Sequence, residues 1–354
     1  EQENLRLDVV SGGELAVALA GGMPGSRINY HGNNKTEEEL KHALESNVAR
    51  ITVDSFHELK LLNKLAGEKK IKQKIILRLS PSVDPHTHLL TTTGILDSKF
   101  GFSIETGAAE ESIEMAMKSE HLELMGVHFH LGSPLFEVAP YEQAIEYTLQ
   151  FCKTMQQNHG FELKEFSPGG GFAVNYLKSQ NAPSIEEYAK AIGESIKQSC
   201  KKFELQLPLI TVEPGRSITA RAAIAVYTVG GTKHVEGVRT FVSIDGGMGD
   251  NIRPALYDAK YSVVSITKPK ADCSEIVTIV GKFCESGDFL CKNVAVPKLE
   301  PGDLIAIPSS GAYNLCMSSN YNMVPRPAVV FVLKDKARLV KRRETFQDMM
   351  QTFL

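Results

Sequence analysis

The chain is poor in cysteine, in net charge and in long apolar runs, and each shortage excludes something. Six cysteines in 354 residues, with no C-x-x-C pair, make neither a dense disulfide framework nor a zinc site. They point to free thiols in a reducing cytoplasm. A net charge of −3, from 39 basic and 42 acidic residues, gives no electrostatic reason to expect nucleic acid or an anionic membrane surface. No apolar run approaches the roughly 20 residues that cross a bilayer. The first residues, Glu1-Gln2-Glu3-Asn4, are the wrong start for a secretory signal, and the chain opens without Met, almost directly on a strand. What remains is an ordinary globular composition, 42% hydrophobic and 23% charged, long enough for one large domain and a smaller one.

Up to about Ala220, short apolar strands alternate with amphipathic helices. Leu7–Val10, Ile28–His31, Arg50–Val53, Lys74–Leu79, Leu122–His130, Phe166–Pro168 and Leu209–Val212 read as strands. Thr36-x-x-Glu39, Ser55-x-x-Glu58 and Ser184-x-x-Glu187 read as capped helix starts. This alternation predicts an α/β fold, a (β/α)8 TIM-like barrel. Only seven strands can be counted, so the first barrel strand is expected to be missing from this chain. Beyond Ala220, Ala223–Thr228, Thr240–Ile244, Tyr261–Ile266, Glu275–Val280, Asp303–Ala306 and Ala328–Leu333 predict a mainly antiparallel β domain, closed by a surface helix over Arg342–Met350. The expected division is therefore 1–220 and 221–354.

Leu209-Ile210-Thr211-Val212 runs into Glu213-Pro214-Gly215-Arg216, which suits a strand buried on both faces ending in a rigid turn. Glu213 and Arg216 then project where barrel active sites are built. They could equally form an ion pair at a turn. Gly169-Gly170-Gly171 follows a strand end and could form an anion-binding nest or a tight turn. His128 and His130 alternate on one strand, without a third metal ligand at a recognisable spacing. A ring-stacking role suits His130, and a satisfied core position suits His128. Cys284-Glu285-Ser286-Gly287-Asp288 sets a thiol among carboxylates, whose negative charge raises a thiol pKa; it could donate a proton or be a turn with a buried cysteine. Arg253 and Tyr257, four apart, and Gly311-Ala312-Tyr313 could be loops or could meet a substrate carboxylate.

In this order the motifs resemble the pyridoxal-phosphate-dependent decarboxylases of the alanine-racemase-like fold, and more closely their diaminopimelate branch. The resemblance rests on Asp8–Glu14, Thr93–Phe102, His128–Ser133, the triple glycine, Glu213–Arg216, Asp245–Tyr257, Cys284–Asp288 and Gly311–Tyr321. It implies decarboxylation of meso-2,6-diaminopimelate to L-lysine and CO2, the last step of bacterial lysine synthesis, by a homodimer with a shared active site. It further implies that Glu213 holds the pyridine nitrogen of pyridoxal 5'-phosphate protonated and that His130 stacks on its ring. Ser133, Gly169, Gly170, Gly171, Gly215, Arg216 and Tyr313 would bind the cofactor. Arg216, Arg253, Tyr257, Glu285 and Tyr313 would hold the substrate. Cys284 would supply the proton across the dimer interface.

One departure stands out. The family's Schiff-base lysine lies in a Y-A-x-K-A-N strand, absent here, and Lys270-Ala271-Asp272 in the β domain does not replace it. The expectation is a missing stretch that leaves the chain inactive by itself. A decarboxylase of another amino acid, a racemase and an inactive regulatory homologue are the alternatives.

Overall fold

A computed structural model of the chain describes Glu3, Leu5–Val83 and Leu96–Phe353. Of the motif Thr93–Phe102, residues 93–95 lie outside the described residues. The chain divides into two compact units, Glu1–Ala173 with Ala182–Pro214, and Val174–Asn181 with Gly215–Leu354.

The first unit is a parallel sheet wrapped by helices. Its strands are β1 (Leu7–Val9), β2 (Ile28–Tyr30), β3 (Arg50–Val53), β4 (Gln73–Ser80), β5 (Phe102–Ser103), β6 (Leu122–His128), β7 (Glu165–Ser167) and β8 (Leu209–Ile210). Its helices are α1 (Gly12–Ala20), α2 (Glu37–Glu45), α3 (Phe56–Glu68), α4 (Ala108–Lys118), α5 (Ala139–His159) and α6 (Ile185–Lys202). The order β1-β2-β3-β4-β6-β7-β8 holds the seven strands read from the sequence, with β5 attached to β4. Every pairing is parallel. Two residues of β5 are too short to leave an apolar pattern. The sheet is open, with β1 and β8 at its two ends among the described residues. That position corrects one expectation. Leu209, Ile210 and Val212 were read as buried on both faces, yet they are 53%, 41% and 41% exposed, because β8 has a neighbour on one side only.

The inner strands carry the core. Ile51, Val53, Ile75, Leu77, Val127 and Phe129 are fully buried, each such side chain contributing about 1.5–3 kcal/mol by leaving water. Thr36 and Ser184 form reciprocal capping boxes with Glu39 and Glu187. Ser55 caps the Glu58 amide, but the Glu58 side chain goes elsewhere. It accepts from the Asp54 amide at 3.2 Å and pairs with Lys35 at 2.9 Å. Lys35 also donates to the carbonyls of Gly32 and Thr52. This buried pair ties the ends of β2 and β3 to the start of α3.

In the second unit, α7 (Gly215–Thr219) precedes a six-stranded sheet of β9 (Ala225–Val235), β10 (Arg239–Ile244), β11 (Val264–Ser265), β12 (Glu275–Val280), β13 (Phe289–Val296) and β14 (Leu304–Ile307). The order is β11-β14-β9-β10-β12-β13. Pairing is antiparallel except between β10 and β12, which run parallel. A separate hairpin joins β15 (Val329–Leu333) to β16 (Lys336–Lys341). Two strands escaped the sequence reading. Lys292 and Asn293 break the apolar run of β13, and β16 alternates with charged residues that face water. Short helices α8 (Arg253–Tyr257) and α9 (Phe346–Met350) complete the unit. The helix expected from Arg342 starts only at Phe346, where Thr345 and Asp348 form the capping box. Among the described residues no helix is long and apolar enough to cross a membrane.

Candidate active site

In the first unit, polar side chains converge at the C-terminal ends of the parallel strands. Glu213 lies just beyond β8, fixed by its amide to the Gly169 carbonyl at 3.1 Å and by a parallel bridge to Gly170. Its Oε1 lies 2.9 Å from Nε2 of His128, the last residue of β6, and accepts from Ser167 Oγ, at the end of β7, at 3.1 Å. His31, directly after β2, meets the His128 ring edge-on with centroids 5.1 Å apart. Its other side faces Asp8 of β1, with Nε2 3.6 Å from the carboxylate. Arg78 of β4 lies 3.8 Å from Asp54 and over the Phe100 ring at 4.1 Å.

Burial would raise the Glu213 carboxyl, but His128 and His31 overcome it and hold the group well below the usual carboxylate range. Burial would lower His31, yet Glu213 and Asp8 raise it above an ordinary imidazole. Burial keeps His128 low and pushes His130 down to about 4. The cluster is thus an ionised carboxylate facing one readily protonated and one neutral imidazole.

His130 accepts from the Gly170 amide through Nδ1 at 3.2 Å. The triple glycine is required by packing. A Cβ on Gly169, Gly170 or Gly171 would meet the carbonyl oxygens of Phe129, Glu213 or Gly132 at 2.4, 2.1 and 2.2 Å. Gly169 and Gly171 also hold φ of +75° and +105°. Ser133 follows Gly132 in the loop after β6, and the Gly132 carbonyl is the one that a Cβ on Gly171 would meet.

In the second unit the charges are guanidiniums. Arg216, in α7 after Gly215, donates to Tyr176 Oη at 2.8 Å and lies over the Tyr313 ring at 4.7 Å. Arg253, opening α8, donates to Tyr261 Oη and lies over the Tyr176 ring at 5.1 Å. Both guanidiniums are buried, and both touch Tyr176. Arg253 is held by a phenol and aromatic faces rather than by a carboxylate, so its charge suits an incoming oxyanion. Tyr257 ends the same helix. Tyr313, at φ +62°, follows Gly311, where a Cβ would meet the Thr219 carbonyl at 1.9 Å. That contact packs the Gly311-Ala312-Tyr313 turn onto α7. Cys284 and Glu285 stand exposed on the loop between β12 and β13, so the buried-cysteine alternative is excluded.

The structure thus brings Glu213, His130 and the glycines together in one unit, and Arg216, Arg253 and Tyr313 in the other. Sequence reasoning missed His31, Arg78, Tyr176 and Tyr261, and it gave His128 a bland role. His31 follows a strand end as Glu213 does, and Arg78 interrupts an otherwise apolar strand; these were readable signals. Tyr176 offered none. Nor could spacing show that ligand atoms of His31, His128 and Glu213 lie within 4.8 Å of one another. Three different strand ends supply them. Here Nε2 of His128 lies within ion-pair distance of Glu213 without hydrogen-bond geometry.

Comparison with known proteins agrees with this geometry. Residues 1–220 match the pyridoxal-binding domain of pyridoxal-dependent decarboxylases, and residues 217–311 match their C-terminal sheet domain. The chain is 44% identical over 351 residues to diaminopimelate decarboxylase of Bacillus subtilis, covering 99% of this chain and 80% of that protein. Among solved structures, diaminopimelate decarboxylase of M. jannaschii in complex with L-lysine superposes with a TM-score of 0.90 at 34% identity, covering 98% of this chain and 79% of that one. The Helicobacter pylori enzyme, also with L-lysine, gives 0.87 at 35% identity, covering 98% and 83%. An ionised carboxylate beside imidazoles fits a pyridinium nitrogen, and buried guanidiniums fit phosphate and carboxylate groups. The chain belongs to the pyridoxal-phosphate-dependent diaminopimelate decarboxylases.

Proposed function

We propose that this chain's residues divide the work of converting meso-2,6-diaminopimelate to L-lysine and CO2 as follows. Glu213 would hold the pyridine nitrogen protonated, and His130 would lie against the ring. Ser133, Gly169, Gly170 and Gly171 of the first unit and Gly215, Arg216 and Tyr313 of the second would bind the phosphate. Bound pyridoxal 5'-phosphate supplies the sink for the electron pair left when CO2 departs. The observation that carries this reading is the place of Glu213 at the strand ends, its Oε1 2.9 Å from Nε2 of His128 and 3.1 Å from Ser167 Oγ.

Arg216, Arg253, Tyr257, Glu285 and Tyr313 hold the end of the substrate that does not react. A guanidinium on the departing carboxylate would stabilise the ground state and slow the loss of neutral CO2. The buried cations therefore belong on the phosphate and the distal carboxylate. A hydrocarbon-like wall of tyrosines around them excludes water and strengthens those contacts. Cys284 delivers the proton that replaces CO2.

Cys284 and Glu285 are exposed, which supports a cytoplasmic homodimer in which each subunit's Cys284 serves the partner's site. Mixing two inactive variants tests this arrangement. Holoenzymes carrying Glu213→Gln and Cys284→Ala, unfolded and refolded together, should regain about a quarter of the CO2 release. Half the random dimers then hold one intact site. No recovery, with exchange verified by mass, would place Cys284 in its own subunit's site, and full activity of Cys284→Ala by itself would place it outside catalysis.

A further inference from the structure

β10 and β12 are the only parallel neighbours in the described part of the second unit's sheet, so the loops leaving their C-terminal ends meet. The first loop runs from Asp245 to α8 and delivers Arg253. The second runs from Gly281 to Asp288 and carries Cys284 and Glu285. Asp288 lies buried where they cross. Its Oδ1 accepts from the Met248 amide in the first loop at 2.7 Å. Its Oδ2 accepts from the Phe283 amide, directly before Cys284, at 2.9 Å. Burial pushes the Asp288 carboxyl up, and these two amides are what pull it back.

The surroundings are shaped for this carboxylate. A Cβ on Gly281 would lie 2.2 Å from Oδ2, and one on Gly247, at φ +151°, would lie 2.6 Å from Oδ1. Backbone bonds from Lys282 to Gly246 and from Gly281 to Asp288 reinforce the crossing, at 3.0 and 3.1 Å. On the far side, the Cys284 amide donates to Asn322 Oδ1 at 2.8 Å. The amides of residues 283 and 284 are therefore both anchored, by acceptors from different segments. A thiol on an otherwise exposed loop is presented from a fixed backbone.

We infer that Asp288 is a positioning residue, a clasp that fixes the Cys284 loop to the Arg253 loop. The inference rests on the reading of Cys284 as the proton donor. A carboxylate is suited to the task because both of its oxygens accept. An asparagine would turn an NH2 toward one of two amide donors and lose that bond. A buried donor left without its acceptor is costly enough to release the loop.

The test uses the holoenzyme and compares Asp288→Asn with Gly281→Ala, whose new methyl displaces the same carboxylate without altering it. Alkylation of Cys284 by iodoacetamide is followed by peptide mass spectrometry, with exposed Cys273 as internal reference. We expect the Cys284 to Cys273 rate ratio to rise about tenfold in both variants, and kcat to fall while KM holds. An unchanged ratio and unchanged kcat in folded variants, whatever their melting temperature, would overturn the clasp and leave Asp288 a stability residue. Should neither variant fold, hydrogen exchange on the unaltered enzyme decides. The Phe283 and Met248 amides must exchange more slowly than that of Ser286, and equal rates would overturn the proposal. A raised ratio in Asp288→Asn together with full kcat in Cys284→Ala would sustain the clasp and reject the proton-donor reading instead.

Discussion

In the first unit an anion is held by imidazoles, and in the second two cations are held by phenols. Glu213 owes its ionised state to His128 and His31, groups that themselves titrate. Arg216 and Arg253 lie instead against phenols and aromatic faces. Tyr176 orients Arg216 and Tyr261 orients Arg253. The difference fits two tasks. An electron sink needs a carboxylate that stays charged beside a protonated ring, whereas recognition of phosphate and carboxylate needs positive charge held in a fixed orientation. It also makes the first cluster sensitive to pH.

The largest effect should come from breaking the anionic side. Glu213→Gln keeps the shape and the Ser167 contact but removes the charge that, in the proposed function, favours a protonated pyridine nitrogen. We expect kcat to fall roughly a thousandfold, the scale on which preorganised electrostatic stabilisation is lost. Absorbance titration should show that the cofactor still binds, since the phosphate contacts are untouched. A kcat within tenfold of the parent would remove Glu213 from the ring nitrogen.

On the cationic side the loss should fall on binding. Arg253→Met preserves much of the stem packing against Tyr176 and Tyr261 but leaves Tyr261 without its charged donor. KM for diaminopimelate should rise about a hundredfold, as when one partner of a buried charged contact is truncated, with a smaller change in kcat. A fall confined to kcat would mean that Arg253 acts on the reacting end.

How much of each cluster was legible follows from how each is built. Glu213 and the triple glycine lie where parallel strands end, and strand ends are visible as apolar runs stopping at Gly, Pro and polar residues. The seven-strand path was readable for the same reason. The Glu213–His128–His31 contact was not, because it joins β8, β6 and the end of β2, which are not neighbours in the strand order, so neither spacing nor pairing shows that their ends meet. Ser55-x-x-Glu58 misled for a related reason. Its local pattern was right, but the Glu58 side chain was drawn away by buried Lys35, whose charge needed a partner more than the helix did. In the second unit the two arginines were visible through ordered motifs, and Tyr176 was not. It arrives on Val174–Asn181, a short excursion of the chain from the middle of the first unit. Asp288 was in view as the last letter of a motif, but its clasp depends on β10 and β12 being parallel in a domain read as antiparallel.

The smallest predicted effect separates the clusters by titration. Glu213 has a lowered folded value, so its contribution is complete above the ordinary 4.5 and is lost as pH falls through that lowered value. His31 has a raised folded value, so its contribution is complete below the ordinary 6.5 and is lost as pH rises through the raised value. His128, driven down by burial, works against the fold as pH falls below 6.5. Above pH 6.5, therefore, His31 is the member of the trio whose contribution declines. The urea unfolding midpoint, followed upward from pH 6.5, should fall less steeply in His31→Phe than in the parent, because the ring remains while the proton and its attraction to Glu213 and Asp8 are gone. Glu213→Gln should flatten the same limb, since the principal charge raising His31 is removed. Arg253→Met should leave the slope as it was, whatever it does to the midpoint itself. If all three variants keep the parental slope, the proton does not reside on His31, and the Glu213 carboxylate must be held by the neutral contacts of His128 and Ser167 alone.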